Sequence, residues 1–314
     1  MDNLGDIRLF VEASTFGSLS AAGRRMGLSP AAASARLTKL ETALATRLFE
    51  RTTRQLRLTD EGNVYLQHCR QALSALDDGR AALQAGSAAM PGKLRVSATS
   101  DFGRHVLKGW LDDFEAAHPE VTFGLVLSDN LSNLMQDDID IAIRFGVLPD
   151  SAMMARRLAA NRRVLCASPA FLERHGAPAH PTELERFRCI VLGTAAGESV
   201  EWQFSRGGEL ASHHVDVASA MDTNDGAIAR AWAVDGRGIA LKSLWDIGAD
   251  LQAGRLVVLM PEWRAQESPV HAVFPRGRYM PARLRLLLDF LVERFALASE
   301  ELAQLIGAVD KVGS

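Results

Sequence analysis

Cysteine is scarce: Cys69, Cys166 and Cys189 are all that 314 residues hold. Their odd number, wide spacing and apolar neighbours argue against a disulfide framework or a zinc site, and for buried, reduced thiols in a cytoplasmic chain. Long apolar runs are missing too. No stretch reaches the roughly 20 apolar residues that a membrane helix needs, so no membrane partner is expected. The opening Met1-Asp2-Asn3-Leu4-Gly5-Asp6 lacks the basic start and apolar run of a secretory leader. Neither a GxxxxGK phosphate loop nor a GxSxG elbow is present. Among the eight histidines only His213 and His214 adjoin, and neighbours on a strand point to opposite faces, which makes a poor ligand pair. No catalytic residue, metal ligand or cofactor is expected.

What remains is the composition of a soluble globular protein, 47% hydrophobic and 23% charged, too long for one ordinary core. Two domains, or three small folded units, are expected. The net charge of −3 hides an uneven distribution. Residues 20–57 carry eight basic side chains against two acids, whereas residues 91–314 carry 24 basic and 29 acidic ones. A basic head on an acidic body has the footprint of a phosphate-binding surface.

That head reads as helices. Leu4, Ile7, Phe10 and Val11 recur at helical spacing over 3–16, and Phe16-Gly17 ends the run. Ser18 is placed to cap a second helix carrying Leu19, Ala22 and Met26, and Gly27 suits a left-handed C′ position. Ser29 then caps a third helix with Pro30 at its first position, where a missing N–H costs nothing. Ala33, Leu37, Leu40 and Leu44 give it one apolar stripe, while Ser34, Arg36 and Lys39 face away. Two helices joined by a tight glycine turn make a helix-turn-helix. The small residues Ala31 to Ala35 let the second helix sink close to base edges. Arg51, Thr53, Gln55 and Arg57 then alternate through a stretch suited to a β-hairpin wing, whose cations would grip phosphates or enter a minor groove.

At these residues the sequence resembles the LysR-type transcriptional regulators. The match runs through Phe10-Val11, Gly17-Ser18-Leu19-Ser20-Ala21-Ala22, Leu28-Ser29-Pro30-Ala31-Ala32-Ala33-Ser34, Leu40-Glu41, Leu48-Phe49-Glu50-Arg51 and Leu58-Thr59-Asp60-Glu61-Gly62. The chain departs from many members at Pro30 and Ala35. The resemblance implies a multidomain chain: a winged helix-turn-helix over 1–59, a linker helix and hinge over 60–90, an effector domain over 91–300 and a tail over 301–314. It implicates Ser29, Pro30, Ala32, Ser34, Arg36, Arg51, Thr52 and Arg54 in contacts to double-stranded DNA.

Residues 60–88 contain no proline, and Leu66, Cys69, Leu73, Leu76, Arg80 and Leu83 alternate at spacings of three and four. That seam wants a partner helix, and the resemblance implies dimerisation through it. Residues 86–92 read as a hinge. Beyond it, strands at 93–99, 121–127, 139–145, 163–167, 189–192, 215–220, 238–241 and 270–274 alternate with helices, including 102–118, 131–136 and 281–296. Such alternation means parallel sheets covered by helices. The resemblance implies two α/β lobes like those of periplasmic solute-binding proteins, lobe I from 91–162 and 268–300 and lobe II from 163–267, with a small-molecule effector between them.

Three strand ends offer hydroxyls and free N–H groups as anion sites or as ordinary caps: Ala98 to Asp101, Ser128 to Asn130 and Asp222 to Asp225. Asp101, Asp129 and Asp225 would oppose an anion unless they are themselves the caps. Arg144 has two readings, facing the cleft to balance a carboxylate or pairing with Asp138 or Asp140. The resemblance places effector contacts at Thr99, Ser100, Ser128, Gly193, Phe204 and Thr223. It further implies a dimer that assembles to a tetramer, and contact with RNA polymerase. Two other classes compete with this reading, an enzyme with a DNA-binding appendage and a solute-binding protein. Site-specific, salt-sensitive binding to DNA discriminates against both.

Overall fold

The computed structural model describes residues 3–51, 56–84, 91–129, 139–146, 153–193, 200–275 and 280–312. Among them, no helix is long and apolar enough to cross a membrane. The chain divides into two compact units, Met1–Met90 and Pro91–Ser314.

In the first unit, helices α1 (Leu4–Phe16), α2 (Leu19–Arg25) and α3 (Pro30–Ala43) start and stop where local chemistry dictates. The side chains of Asn3, Ser18 and Ser29 accept hydrogen bonds from the first-turn amides Gly5, Ala21 and Ala32. Gly17 ends α1 at φ 61°. Strands β1 (Phe49–Arg51) and β2 (Leu56–Leu58) pair antiparallel, with Glu50 opposite Arg57. Helix α4 (Asp60–Gln84) follows. Leu9, Phe10, Leu37, Leu40, Leu48 and Phe49 form the core, joined by Leu66 and Cys69 from α4. The first part of the expected dimer seam is therefore spent on the chain's own core, because Leu66 and Cys69 lie over α1. Leu76, farther along, is exposed.

Among its described residues, the second unit holds two sheets of five strands and one of three. Lobe I uses β3 (Gly92–Ala98), β4 (Val121–Leu127), β5 (Ile141–Phe145), β6 (Met153–Ala159) and β15 (Val270–Pro275) in the order β4-β3-β5-β15-β6. β3 runs parallel to β4 and β5, but β15 is antiparallel to β5 and β6. Lobe II uses β7 (Arg163–Ala167), β8 (Cys189–Leu192), β11 (Met221–Thr223), β12 (Ile239–Ser243) and β13 (Val257–Leu259) in the order β11-β8-β12-β7-β13. There β7 is antiparallel to β12 and β13. The sheets are thus mixed, not parallel throughout, because strands entering each lobe from the other run against its βαβ direction.

A third sheet joins β9 (Val200–Arg206), β10 (Glu209–Val215) and β14 (Arg264–Ala265). The strand expected over 215–220 ends at Val215. Asp216 turns the chain, its carboxylate accepting from Ala218 N and its carbonyl from Ser219 and Ala220 N. The helix expected over 131–136 lies outside the described residues.

Helices α5 (Ser100–Phe102) and α6 (Lys108–Ala117), joined by a π-helical turn over Gly103–Leu107, cover lobe I. Helices α7 (Pro169–His175), α8 (Gly226–Val234) and α9 (Leu244–Gln252) belong to lobe II. Helix α10 (Ala282–Val312) continues well past the expected end at 296, so the proposed tail over 301–314 is helical through Val312. The reason is packing. Leu302 lies against the cores of both lobes, beside Gly248 of α9. Trp245 of lobe II likewise enters the lobe I aromatic cluster, 5.0 Å from Phe295, and its indole N–H donates to Ala160 O.

Candidate DNA surface and effector cavity

Helix α3 buries Ala33, Leu37 and Leu40. The opposite stripe, Ala31, Ser34, Ala35, Thr38, Lys39, Thr42 and Ala43, forms an open shallow surface. Of the expected DNA residues, Ser34 lies on that surface, Ser29 and Pro30 at its N-terminal end, and Ala32 on a half-buried flank. Arg36 is on the other apolar-side flank, its Nε 3.7 Å from the buried carboxylate of Asp6 in α1. That contact links α3 to α1 while leaving the Arg36 side chain partly exposed. Arg51 belongs to β1, whereas Thr52 and Arg54 lie outside the described residues. Glu41 Oε1 accepts from the amides of Leu48 and Phe49, fixing where the wing leaves the helix. Ala35, Thr38 and Lys39 were not singled out as contacts. Continuing the helical period from the buried stripe finds them.

A cavity of about 530 Å³ in the second unit is lined from both lobes, by Thr99, Asp101, Asp129 and Ser268 of lobe I and by Arg163, Gln203, Gly226, Lys242 and Asp246 of lobe II. Thr99 is the one expected effector residue on its wall. Ser128 is held in the backbone, its N–H donating to Ala98 O. The Gly193 N–H donates to Thr223 O. Phe204 is buried in the lobe II core because its strand alternates, which turns Gln203 to the cavity in its place. Arg144, on β5, is buried and is not among the residues lining the cavity. It donates to Ser97 Oγ at 2.7 Å and to Ile143 O at 2.9 Å, and Asp140 instead accepts from Arg95 N. Burial lowers the Arg144 pKa to about 10, opposed by the nearby Asp129 charge. Asp138 lies outside the described residues.

The cavity floor is a charged trio. Lys242, buried on β12, donates to Asp101 Oδ2 at 2.6 Å and to Gly226 O at 2.8 Å, with Asp246 Oδ2 at 3.2 Å. Burial, reinforced by the Asp246 charge, raises the Asp101 pKa to about 6 although Lys242 opposes it. Burial also works against the Lys242 charge, but the two carboxylates outweigh it and raise its pKa. Arg163 stands apart. Solvent reaches it through the cavity, protein surrounds it, and burial lowers its pKa against the pull of Asp246. Among the described residues no group hydrogen-bonds or ion-pairs with its guanidinium. Sequence reading missed Arg163, Lys242, Asp246 and Gln203, since the role of a strand residue, or of Asp246 at the start of α9, depends on which lobe edge it meets.

Of the three aspartates at strand ends, Asp129 and Asp225 accept from first-turn amides as caps do, whereas Asp101 is claimed by Lys242. Asp225 accepts from Ala227 and Ile228 N–H at the start of α8, and Arg104 donates to both its oxygens at 3.0 Å. Burial would raise the Asp225 pKa, but hydrogen bonds from Ser100, Arg104 and those amides bring it down. Cys166 and Cys189 are pushed up to about 12 by burial, which leaves them unreactive thiols.

Residues 87–296 match the family model described as LysR substrate binding domain, and residues 4–63 the model of bacterial regulatory helix-turn-helix proteins of the lysR family. An HTH-type transcriptional repressor of Pseudomonas aeruginosa strain UCBPP-PA14 is 34% identical over 297 residues, 94% of this chain and 93% of its own length. The HTH-type transcriptional regulator DmlR of Escherichia coli K12 is 34% identical over 300 residues, 93% of this chain and 94% of its own. The solved structure of CrgA, a LysR-type transcriptional regulator from Neisseria meningitidis, is similar at TM-score 0.59 and 29% identity, covering 94% of this chain and 99% of that one. These relatives carry the names of regulators, not enzymes. With both models matched in order, the chain belongs to the LysR family of transcriptional regulators, which bind DNA through the helix-turn-helix and a small-molecule effector through the C-terminal domain.

Proposed function

We propose that α3 enters the major groove of operator DNA with the Ala31–Ser34–Ala35–Thr38–Lys39 stripe, and that a small organic acid bound against Arg163 controls that binding. The observation that carries the acid is the Arg163 guanidinium, without a side-chain partner among the described residues, on the wall of a cavity of about 530 Å³, room for a compact ligand. Ser29 and Pro30 at the helix start would meet a phosphate, and the wing residues Arg51, Thr52 and Arg54 the flanking backbone. Exposed Val64 and Leu76 on α4 favour dimerisation through that helix, with a tetramer as the further assembly. A dimer would read half-sites about one helical turn, or a multiple, apart. Acid binding shifts activity only through unequal affinity for two arrangements of the lobes, which alters DNA bending and access of RNA polymerase. The setting is the cytoplasm.

Calorimetric titration of small carboxylic acids, selected by thermal shift, into the full chain tests the acid. Wild type binds, and Arg163→Gln loses about tenfold or more in affinity, the scale of one charge-assisted hydrogen bond. Equal affinity in the two proteins removes Arg163 from the site. Mobility shifts on DNA upstream of the protein's own gene test the other half, with affinity falling steeply as salt rises.

A further inference from the structure

Asp129 belongs to lobe I, yet its carboxylate serves both lobes. Oδ1 accepts from Ser100 N at 2.9 Å, and Oδ2 accepts from Ser100 Oγ at 2.6 Å and from Gly226 N, across the junction, at 2.8 Å. Gly226 opens α8, so a lobe I carboxylate occupies the amide end of a lobe II helix. Around it the same two stretches meet again. Arg104 of lobe I holds Asp225 of lobe II, Asp101 of lobe I holds Lys242, and His105 Nε2 lies 3.2 Å from Arg230. Behind Asp129, the buried Arg144 has no carboxylate within ion-pair distance among the described residues, and Asp129 is the charge that acts upon it. Asp129 also forms part of the cavity wall.

We propose that Asp129 is an internal clasp between the lobes: its carboxylate takes the donors of Ser100 and Gly226, holds the lobes in this arrangement, and must withdraw before an incoming carboxylate can use those donors. The clasp itself stands on the polar geometry. Its competition with an effector rests on the cavity being the effector site. A chain that supplies its own carboxylate there needs no ligand to bring the lobes together, so the effector's contribution becomes an exchange of one carboxylate for another. This differs from a cleft that closes only around its ligand.

Hydrogen–deuterium exchange on the full-length protein tests it. In Asp129→Ala, amides in peptides covering 98–103 and 224–229 exchange about tenfold faster, the scale of one net hydrogen bond, while those of β12 and β15 do not change. Millimolar formate, small enough for the space left by the side chain, restores protection at both peptides in Asp129→Ala but not in Asp129→Asn. Unchanged exchange in both variants overturns the clasp, and so does loss of protection that formate leaves unrepaired. Should Asp129→Ala exchange faster everywhere, Asp129→Asn decides: a local increase supports the clasp and none overturns it. An effector that binds elsewhere leaves this pattern untouched, so failure of the cavity reading shows separately in the Arg163→Gln titration.

Discussion

A Cβ at position 62 would sit 2.1 Å from the carbonyl oxygen of Leu48. That approach packs the first turn of α4 against the start of the wing, where Thr59 Oγ1 donates to Arg47 O and accepts from Gly62 N. Gly62→Ala therefore costs about 2 kcal/mol or more through a backbone clash. Gly79 in the same helix has nothing within 4 Å of its would-be Cβ, so Gly79→Ala gains about 1 kcal/mol from helix propensity. Thermal unfolding of the two variants should move in opposite directions, and a shared direction would refute the packing argument. Asp101 makes a second case at this scale. Its pKa is raised in the fold to about 6 from an ordinary 3.8, so the native state holds its proton more tightly than the unfolded chain. Stability from this group is present at low pH and is lost as pH rises from about 4 to 6, by about 3 kcal/mol in all. Asp101→Asn removes that slope. Across this range the variant's stability relative to wild type should climb with pH, and a constant difference would mean the carboxyl titrates normally.

Among the elements, those with strong local signals were legible in the sequence. Helices α1, α2 and α3 declared themselves through a 3.6-residue period with Gly17, Ser18, Gly27 and Ser29 between them, and β4, β7 and β8 as bounded apolar runs. Strands β9, β10 and β14 were not legible, because a sheet with one wet face mixes polar residues such as Glu201, Gln203 and Ser212 into its runs. The cavity was less legible still. Arg163, Gly226 and Lys242 come from separate segments and meet only through topology. Arg36 has a neighbour that the helical period cannot show: the helix was foreseen, but Asp6, whose buried carboxylate lies 3.7 Å from its Nε, sits in α1. Lys39 faces the open side. Lys39→Ala should reduce the slope of log affinity against log salt by about one phosphate contact. Arg36→Ala should leave that slope alone and lower the melting temperature instead, because it strands a buried carboxylate, and Asp6→Asn should restore the loss. A reduced slope in Arg36→Ala would return that residue to the DNA surface.

At the scale of the molecule, the end of α10 decides whether the effector domain behaves as one body or two. Leu302 contacts apolar residues of both lobe cores, and Trp245 crosses from lobe II into the aromatic cluster of lobe I. Neither lobe then completes its core alone, which gives the polar clasp a fixed apolar junction to work against. Leu302→Ala removes a half-buried side chain and should cost about 1–3 kcal/mol, toward the low end for large-to-small changes because the site is only partly enclosed. The location of the response tests the argument more sharply than its size. Hydrogen exchange should quicken in α9 of lobe II and in α6 of lobe I together, and the domain should still unfold in a single transition. Faster exchange confined to one lobe would show two independent cores, and an effector bound between independent lobes would have to organise their arrangement itself.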